Sequence, residues 1–224
     1  MAFGDISGGV RCGVGLALRE RPWSIVSQRI EEAGVFLARF IFILAVSALV
    51  TGCSPSAAPS PVAMRAKAYL PEKDRTLAPF AHVAFCVKTP AECRERTGEA
   101  VVAMTAKNQA MLDGVNSAVN NAIIPREDPA RAGIWQVDPP AGDCNDYAVT
   151  KRNALLQDGL STHAVRLAIA MTPEGIGHTV VVVRTTEGDM VLDNRNYEIK
   201  RWDHTDLAWL KVESSADPEQ WDRL

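Results

Sequence analysis

The sequence predicts an α+β fold, and three observations predict it. Apolar residues recur at helical spacing through residues 100–123, from Val101 and Met104 to Val119 and Ile123. Residues 142–148 read GDCNDYA, a helix N-cap followed by a helix start. Beyond Gly159 the chain turns into β-branched and apolar runs, HAVRLAIAM, HTVVVVRT and MVLDN, separated by Pro173, Gly175, Gly177 and the TEGD turn. Helices that precede a block of strands, rather than alternating with it, are the pattern of α+β.

The N-terminal part reads as an address rather than a fold. Phe40 to Val50 is an apolar run of eleven, FIFILAVSALV, preceded by Arg39. It is too short to span a bilayer comfortably and suits a signal-peptide core. Val50-Thr51-Gly52-Cys53 resembles a bacterial lipobox, whose small residues fit a peptidase cleft and whose cysteine thiol, here Cys53, takes the lipid. An ordinary cleaved signal and an uncleaved anchor are the alternatives. Residues 1–38 are polar and long for a signal n-region, and Val35 is a candidate lower start. The expected division is residues 1–53 as extension and signal, 54–65 as a Ser/Pro/Ala tether, and 66–224 as one domain. The expected location is the periplasm or cell envelope, on a membrane if Cys53 is lipidated.

The chain has 224 residues, 47% of them hydrophobic, enough for one domain with a real core. A net charge of −3 with scattered Lys and Arg leaves no electrostatic footprint for nucleic acid. Cys86 and Cys93 bracket VKTPAE, and in an exported protein that spacing suggests a disulfide closing a small loop around Pro90. Two reduced, partly buried thiols are the alternative. With Cys53 lipidated and Cys86 and Cys93 paired, Cys144 is left as the unpaired thiol.

The remaining elements follow in order. Ala91 to Thr97 suggests a short helix around Cys93. Pro125 to Pro140 is a proline-rich loop carrying Trp135. A helix runs from Cys144 to about Asp158, with Asp143 as N-cap and Gly159 as its stop. His163 to Met171, His178 to Thr185 and Met190 to Asp193 form a strand meander, and Tyr197 to Trp202 could add a fourth strand. Leu207 to Leu210 suggests a helical turn. The polar C-terminus carries one anchor, Trp221.

Cys144 falls in the first turn of its helix, where the dipole and unpaired N–H groups stabilise a thiolate. A cysteine nucleophile needs a base, and the base needs an orienting group. His178 opens an apolar strand and can be the base, and Asp193 can orient it. Hairpin register decides whether they meet. A two-residue turn at Glu187-Gly188 separates them by about 13 Å along one face. A four-residue loop from Thr185 to Gly188 pairs Arg184 with Asp189 and brings Asp193 diagonal to His178, at roughly 7 Å. On this arithmetic a tight hairpin excludes Asp193. His82, His163 and His204 have no partner pattern and read as structural or surface residues. HExxH, CxxC and Cys/His zinc spacings are absent, as are GxSxG and GxGxxG.

GDCNDYA, then Lys151, Leu155 and Gly159, then GHTVVVV and VLDN, resemble the bacterial transglutaminase-like cysteine peptidases of the papain and transglutaminase superfamily. The resemblance covers about Val101 to Trp202. It implies a papain/transglutaminase-like core, a cysteine-bearing helix on an antiparallel sheet that carries the His and Asp. It implies Cys144 as nucleophile, His178 as base and Asp193 as orienting acid. Trp135 corresponds to an upstream tryptophan of the family, and Trp135 and Asn145 are candidate oxyanion donors beside the Cys144 N–H. Relatives are calcium-dependent periplasmic proteases whose acidic residues flanking the cysteine hold the ion. Asp143 is kept here, whereas Asn145 replaces the family's Glu and removes one carboxylate ligand.

The expected activity is hydrolysis of a peptide or isopeptide bond in a protein or peptide substrate through a thioester, with no cofactor required and calcium a candidate at Asp143. Acyl transfer to an amine on the same triad, and a non-catalytic binding domain of the same fold, are the competing expectations.

Overall fold

A computed structural model describes residues 68–126 and 133–224, all within one compact unit of the chain. The expectations for residues 1–53 and the 54–65 tether, including Cys53 as a lipidation site, lie outside these residues. No helix among the described residues is long and apolar enough to cross a membrane.

The elements run in the predicted sense, helices and then strands. A short strand β1 (Arg75–Thr76) precedes α1 (Phe80–Lys88), α2 (Pro90–Cys93) and α3 (Ala106–Ala122). β2 (Ile124–Pro125) and β3 (Ala141–Gly142) form a small parallel pair flanking the proline-rich loop. α4 (Cys144–Gln157) follows, and then β4 (Val165–Met171), β5 (Gly177–Thr185), β6 (Gly188–Leu192), β7 (Lys200–Arg201), β8 (Ala208–Glu213) and β9 (Trp221–Arg223). These strands and β1 make one antiparallel sheet in the order β1-β9-β8-β4-β5-β6-β7.

Two cores follow from strand alternation. Leu167, Ile169, Val181, Val183 and Leu192 join Ala148, Val149 and Leu155 of α4 in the larger core. Ala168, Ala170, Val180, Val182 and Val191 form the second core with Leu70, Leu207 and Val212. With both faces covered, β5 reads as a continuous apolar run rather than an alternating one.

Several expectations need correction. Leu207 to Leu210 is not a helical turn: Ala208–Glu213 is strand β8, which extends the sheet beside β4 through Ala168↔Val212 and Ala170↔Trp209. Its burial alternates at first, from Ala208 to Lys211, a period-two pattern that tertiary pairing makes decisive. Tyr197 to Trp202 contributes only Lys200–Arg201 to the sheet before a 3-10 turn at Trp202–His204. Phe80–Lys88 is a helix that periodicity did not reveal. Its N-cap is Pro79, without a side-chain cap, and Phe80 and Val87 stay exposed. Trp221 anchors the C-terminus as expected, fully buried and edge-on to the His82 ring at 5.2 Å.

The hairpin between β5 and β6 is tight, yet its register is the favourable one. Arg184 pairs with Asp189 and Val181 with Leu192, but Thr185 also pairs with Gly188, so the turn holds only Thr186 and Glu187. The assumption that a two-residue turn must centre on Glu187-Gly188 was at fault. The Thr185 hydroxyl donates to the Gly188 carbonyl at 2.7 Å and accepts the Glu187 N–H at 3.1 Å, which centres the turn one residue earlier.

Candidate active site

The start of α4 is built by reciprocal capping. Asp143 Oδ1 accepts the Asn145 N–H at 2.9 Å, and Asp146 Oδ2 accepts the Asp143 N–H at 3.2 Å. Asp146 Oδ1 accepts the Gln136 N–H at 2.8 Å, tying the preceding loop to the helix start. Gly142 is required for this packing, because a Cβ there would lie 2.3 Å from Asp146 Oδ2. The GDCND string is thus a local fold device that sets Cys144 at the first helical position, fully buried.

His178 begins β5 in the row of Val180 and Val182, and Asp193 follows β6 in the row of Val191. The hairpin register therefore sets them diagonally on one face. His178 Nε2 lies 2.8 Å from Asp193 Oδ1, with both residues buried. Asp193 Oδ1 also accepts the Arg195 N–H at 2.8 Å. Burial by itself would raise the Asp193 pKa. The hydrogen bond and charge of His178, with the Arg195 N–H and guanidinium, outweigh it and hold the carboxyl below its usual range. A carboxylate on Nε2 selects the imidazole form that keeps its proton there, leaving Nδ1 as the basic nitrogen.

α4 lies against β4 and β5. Asn145 Oδ1 accepts the Thr179 hydroxyl at 2.6 Å, joining the residue after Cys144 to the residue after His178 at the mouth of β5. The Asn145 Nδ2 group is buried with no hydrogen-bond partner among the described residues. Trp135 lies elsewhere in its contacts: its ring packs against His82 at 5.6 Å and Phe85 at 6.1 Å in the larger core.

Cys86 and Cys93 are disulfide-bonded, Cα to Cα 5.5 Å, closing the loop around Pro90 as predicted. Cys144 is also disulfide-bonded. The elimination that left Cys144 unpaired therefore fails, and any nucleophilic role belongs to its reduced form.

Asp143, with the neighbouring Asn145 and Asp146 oxygens, is where a calcium ion would be held at the helix start, and those oxygens would be shared with the hydrogen bonds that cap it. Calcium collects six to eight converging oxygens. Here the Asp146 oxygens, Asp143 Oδ1 and Asn145 Oδ1 each accept from an N–H or O–H group.

Sequence reasoning also missed a second buried polar centre. Trp221 Nε1 donates to His82 Nδ1 at 3.3 Å, so His82 donates from Nε2 to Glu213 Oε1 at 3.0 Å. Glu213 Oε2 accepts the Leu167 N–H at 2.8 Å and lies 3.2 Å from Arg152 Nε of α4. Burial would raise the Glu213 pKa, but Arg152 and His82 hold it low. The ligand atoms of His82, Cys86 and Cys93 lie within 4.8 Å of one another, but the two sulfurs are bonded and both imidazole nitrogens are engaged. The Trp-His-Glu-Arg chain is therefore structural, as His82 was expected to be. His163 bonds the Ser215 carbonyl at 2.6 Å, and His204 is exposed.

A polar cleft of about 220 Å³ opens beside Asp193, lined by Arg195, Glu198, Lys200, His204 and Asp206 among others.

Comparison with known proteins gives the following. The family model of the bacterial transglutaminase-like cysteine proteinases matches residues 72–224. No curated protein matches the chain. Calcium-bound LapG of Legionella pneumophila is similar at 22% identity and a TM-score of 0.43, over 47% of this chain and 64% of that one. EGTA-treated LapG of the same organism is similar at 23% identity and a TM-score of 0.42, over 47% and 62%. The match spans less than two thirds of these solved chains. A family model that covers residues 72–224 takes in the capped cysteine helix, the His178 strand and Asp193 together, and the chain belongs to the bacterial transglutaminase-like cysteine proteinases.

Proposed function

We propose that the protein is an exported thiol hydrolase that cleaves a peptide or isopeptide bond with Cys144, His178 and Asp193. The observation that carries this reading is the buried His178–Asp193 hydrogen bond of 2.8 Å at the strand mouth that α4 meets through Asn145 and Thr179. Asp193 holds the Nε2 proton, and Nδ1 draws the proton from the reduced Cys144 thiol. The thiolate attacks the substrate carbonyl, the C–N bond breaks, and the imidazolium returns its proton to the leaving amine. Water, deprotonated by the same imidazole, hydrolyses the thioester and releases the acid and the thiol. The developing oxyanion is met by the Cys144 N–H and by Asn145 Nδ2, a buried donor with no partner among the described residues. The reading includes export, with Cys53 as the lipidated residue. Mass analysis of the cell-envelope form tests that part separately.

The test is site-resolved thiol labelling after mild reduction, reading the Cys144 peptide by mass, alongside hydrolysis of a peptide library. Wild type labels fast and hydrolyses. Cys144→Ala is inactive, and His178→Ala loses about 10³-fold or more of both the rate of labelling at neutral pH and of hydrolysis. Unchanged labelling in His178→Ala removes the base. An added primary amine that is incorporated into product, in place of water, converts the reading to acyl transfer.

A further inference from the structure

Helix α1 is apolar on the face it turns to water as well as on the face it buries. Its sequence, FAHVAFCVK, holds one charged lysine or acidic side chain, Lys88, and that one is basic. His82 and Phe85 are buried. The exposed row is Phe80, Val83, Ala84 and Val87, at the i, i+3, i+4, i+7 spacing of a single helix face. Phe80 is 86% exposed, Val87 80% and Val83 46%, and Leu77 just before the helix is 85% exposed. Apolar residues standing singly on a surface are ordinary, whereas a row of them along one helix marks a docking face. A helix that is apolar all round is built to be covered on both sides.

The place of α1 in the fold decides what can cover it. His82 donates to Glu213 and accepts the Trp221 indole N–H, which sets the helix at the end of the sheet where Glu213 pairs with Trp221. Ala68, where the described chain begins, lies at the same end, its carbonyl accepting the Asp189 N–H at 2.8 Å beside the β5–β6 turn. His178 pairs with Ala170 at the opposite end of β4. Residues 54–67 separate Cys53 from Ala68 and span at most about 50 Å when fully extended. A lipid on Cys53 therefore keeps α1 within reach of the bilayer, and contact there leaves the His178 end open to substrate. The charges at the rim agree. Lys88 closes the helix at one end, and near the other Lys211 Nζ donates to the Leu77 carbonyl at 2.9 Å. Cations beside an apolar face suit anionic headgroups. The row is small for a dimer, since a standard interface takes about 20–30 residues a side. It is enough for a second, weaker contact once a lipid supplies the first.

We propose that the face formed by Leu77, Phe80, Val83 and Val87 docks on the anionic phospholipid surface of the membrane that carries the Cys53 lipid. The proposal rests on the export and lipidation part of the reading above and is independent of the triad. The apolar side chains enter the headgroup boundary with the helix axis along the surface, and Lys88 and Lys211 stay among the headgroup phosphates. Docking fixes the orientation in which the His178 end meets its substrate.

The experiment is photo-crosslinking in the full chain, purified from the cell envelope of a bacterial host. Benzoylphenylalanine stands in place of Phe80 in one sample and in place of Tyr197, an exposed aromatic after β6, in the other. Each is checked against wild type by a thermal melt. The protein is reconstituted in phosphatidylethanolamine vesicles with and without phosphatidylglycerol and irradiated. Mass is read on the probe peptide and on the Cys53 peptide. A phospholipid adduct at position 80 is expected at about tenfold or more the yield at position 197, falling severalfold without phosphatidylglycerol. Equal yields at the two positions overturn the proposal. So does an adduct of position 80 to protein, which would mark a second copy or a protein partner. An unchanged yield without phosphatidylglycerol overturns the part given to Lys88 and Lys211. Failure of the anchor reading shows separately, as a Cys53 peptide without lipid. An adduct at position 80 in that form upholds docking by α1 without the anchor, and its absence refutes both.

Discussion

Asp193 gathers more of the site than any other residue. Its Oδ1 takes both the His178 ring nitrogen and the Arg195 N–H, and its carbonyl takes the Asn120 amide. Asp193→Asn keeps the shape but offers an amide where a carboxylate stood, and it no longer favours the Nε2-protonated imidazole. We expect kcat to fall by about 10²–10⁴-fold with little change in melting temperature, checked by steady-state kinetics beside a thermal melt. Asn145 carries a separate prediction. If its unpartnered Nδ2 meets the oxyanion, Asn145→Ala lowers kcat by about 10²–10³-fold with KM nearly unchanged. A loss confined to KM would assign Asn145 to substrate binding instead.

Two predictions belong to the elements. In α4, a lysine held at about pKa 7 against an ordinary value of 10.5 makes stability depend on pH. Between those values the unfolded chain holds a proton that the folded chain has released, so stability from this group rises as pH rises from about 7 toward 10.5. Unfolding free energies from denaturant melts should rise with pH across that window in wild type and lose this contribution in Lys151→Met. Around α1 and α2, the Cys86–Cys93 bond closes a short loop. The entropy of so short a closure is worth about 2–3 kcal/mol. Replacing both residues with Ser should lower the melting temperature by several degrees, measured by calorimetry.

At the scale of the whole molecule, Glu213 joins parts that are remote in sequence. It accepts from His82 of α1 and from the Leu167 N–H of β4 and is ion-paired with Arg152 of α4, all while fully buried on β8. Removing the charge leaves Arg152 uncompensated in the interior. We expect Glu213→Ala to cost about 3–5 kcal/mol by denaturant titration, a large part of the stability of a domain this size. Glu213→Gln, which keeps one acceptor, should cost less.

The sequence by itself determined the local devices. Asp143 with Asp146 capped a helix, Gly142 admitted the cap, Gly159 ended it at a φ of 95°, and the β-branched runs became β4, β5 and β6. These are interactions within a few residues, so composition and spacing encode them. The candidate residues Cys144, His178 and Asp193 were legible for the same reason, each sitting at the end of a well-marked element. Only the tertiary structure decided what joined them. The Thr185 hydroxyl moved the β5–β6 turn one residue earlier, and that shift brought Asp193 to His178 through a tight hairpin. Strand β8 was invisible until β4 offered it an edge, and the buried charges of Glu213 and Lys151 had no signal in their neighbours along the chain. Register, edge pairing and the burial of charge depend on contacts between distant residues, and periodicity carries no record of them.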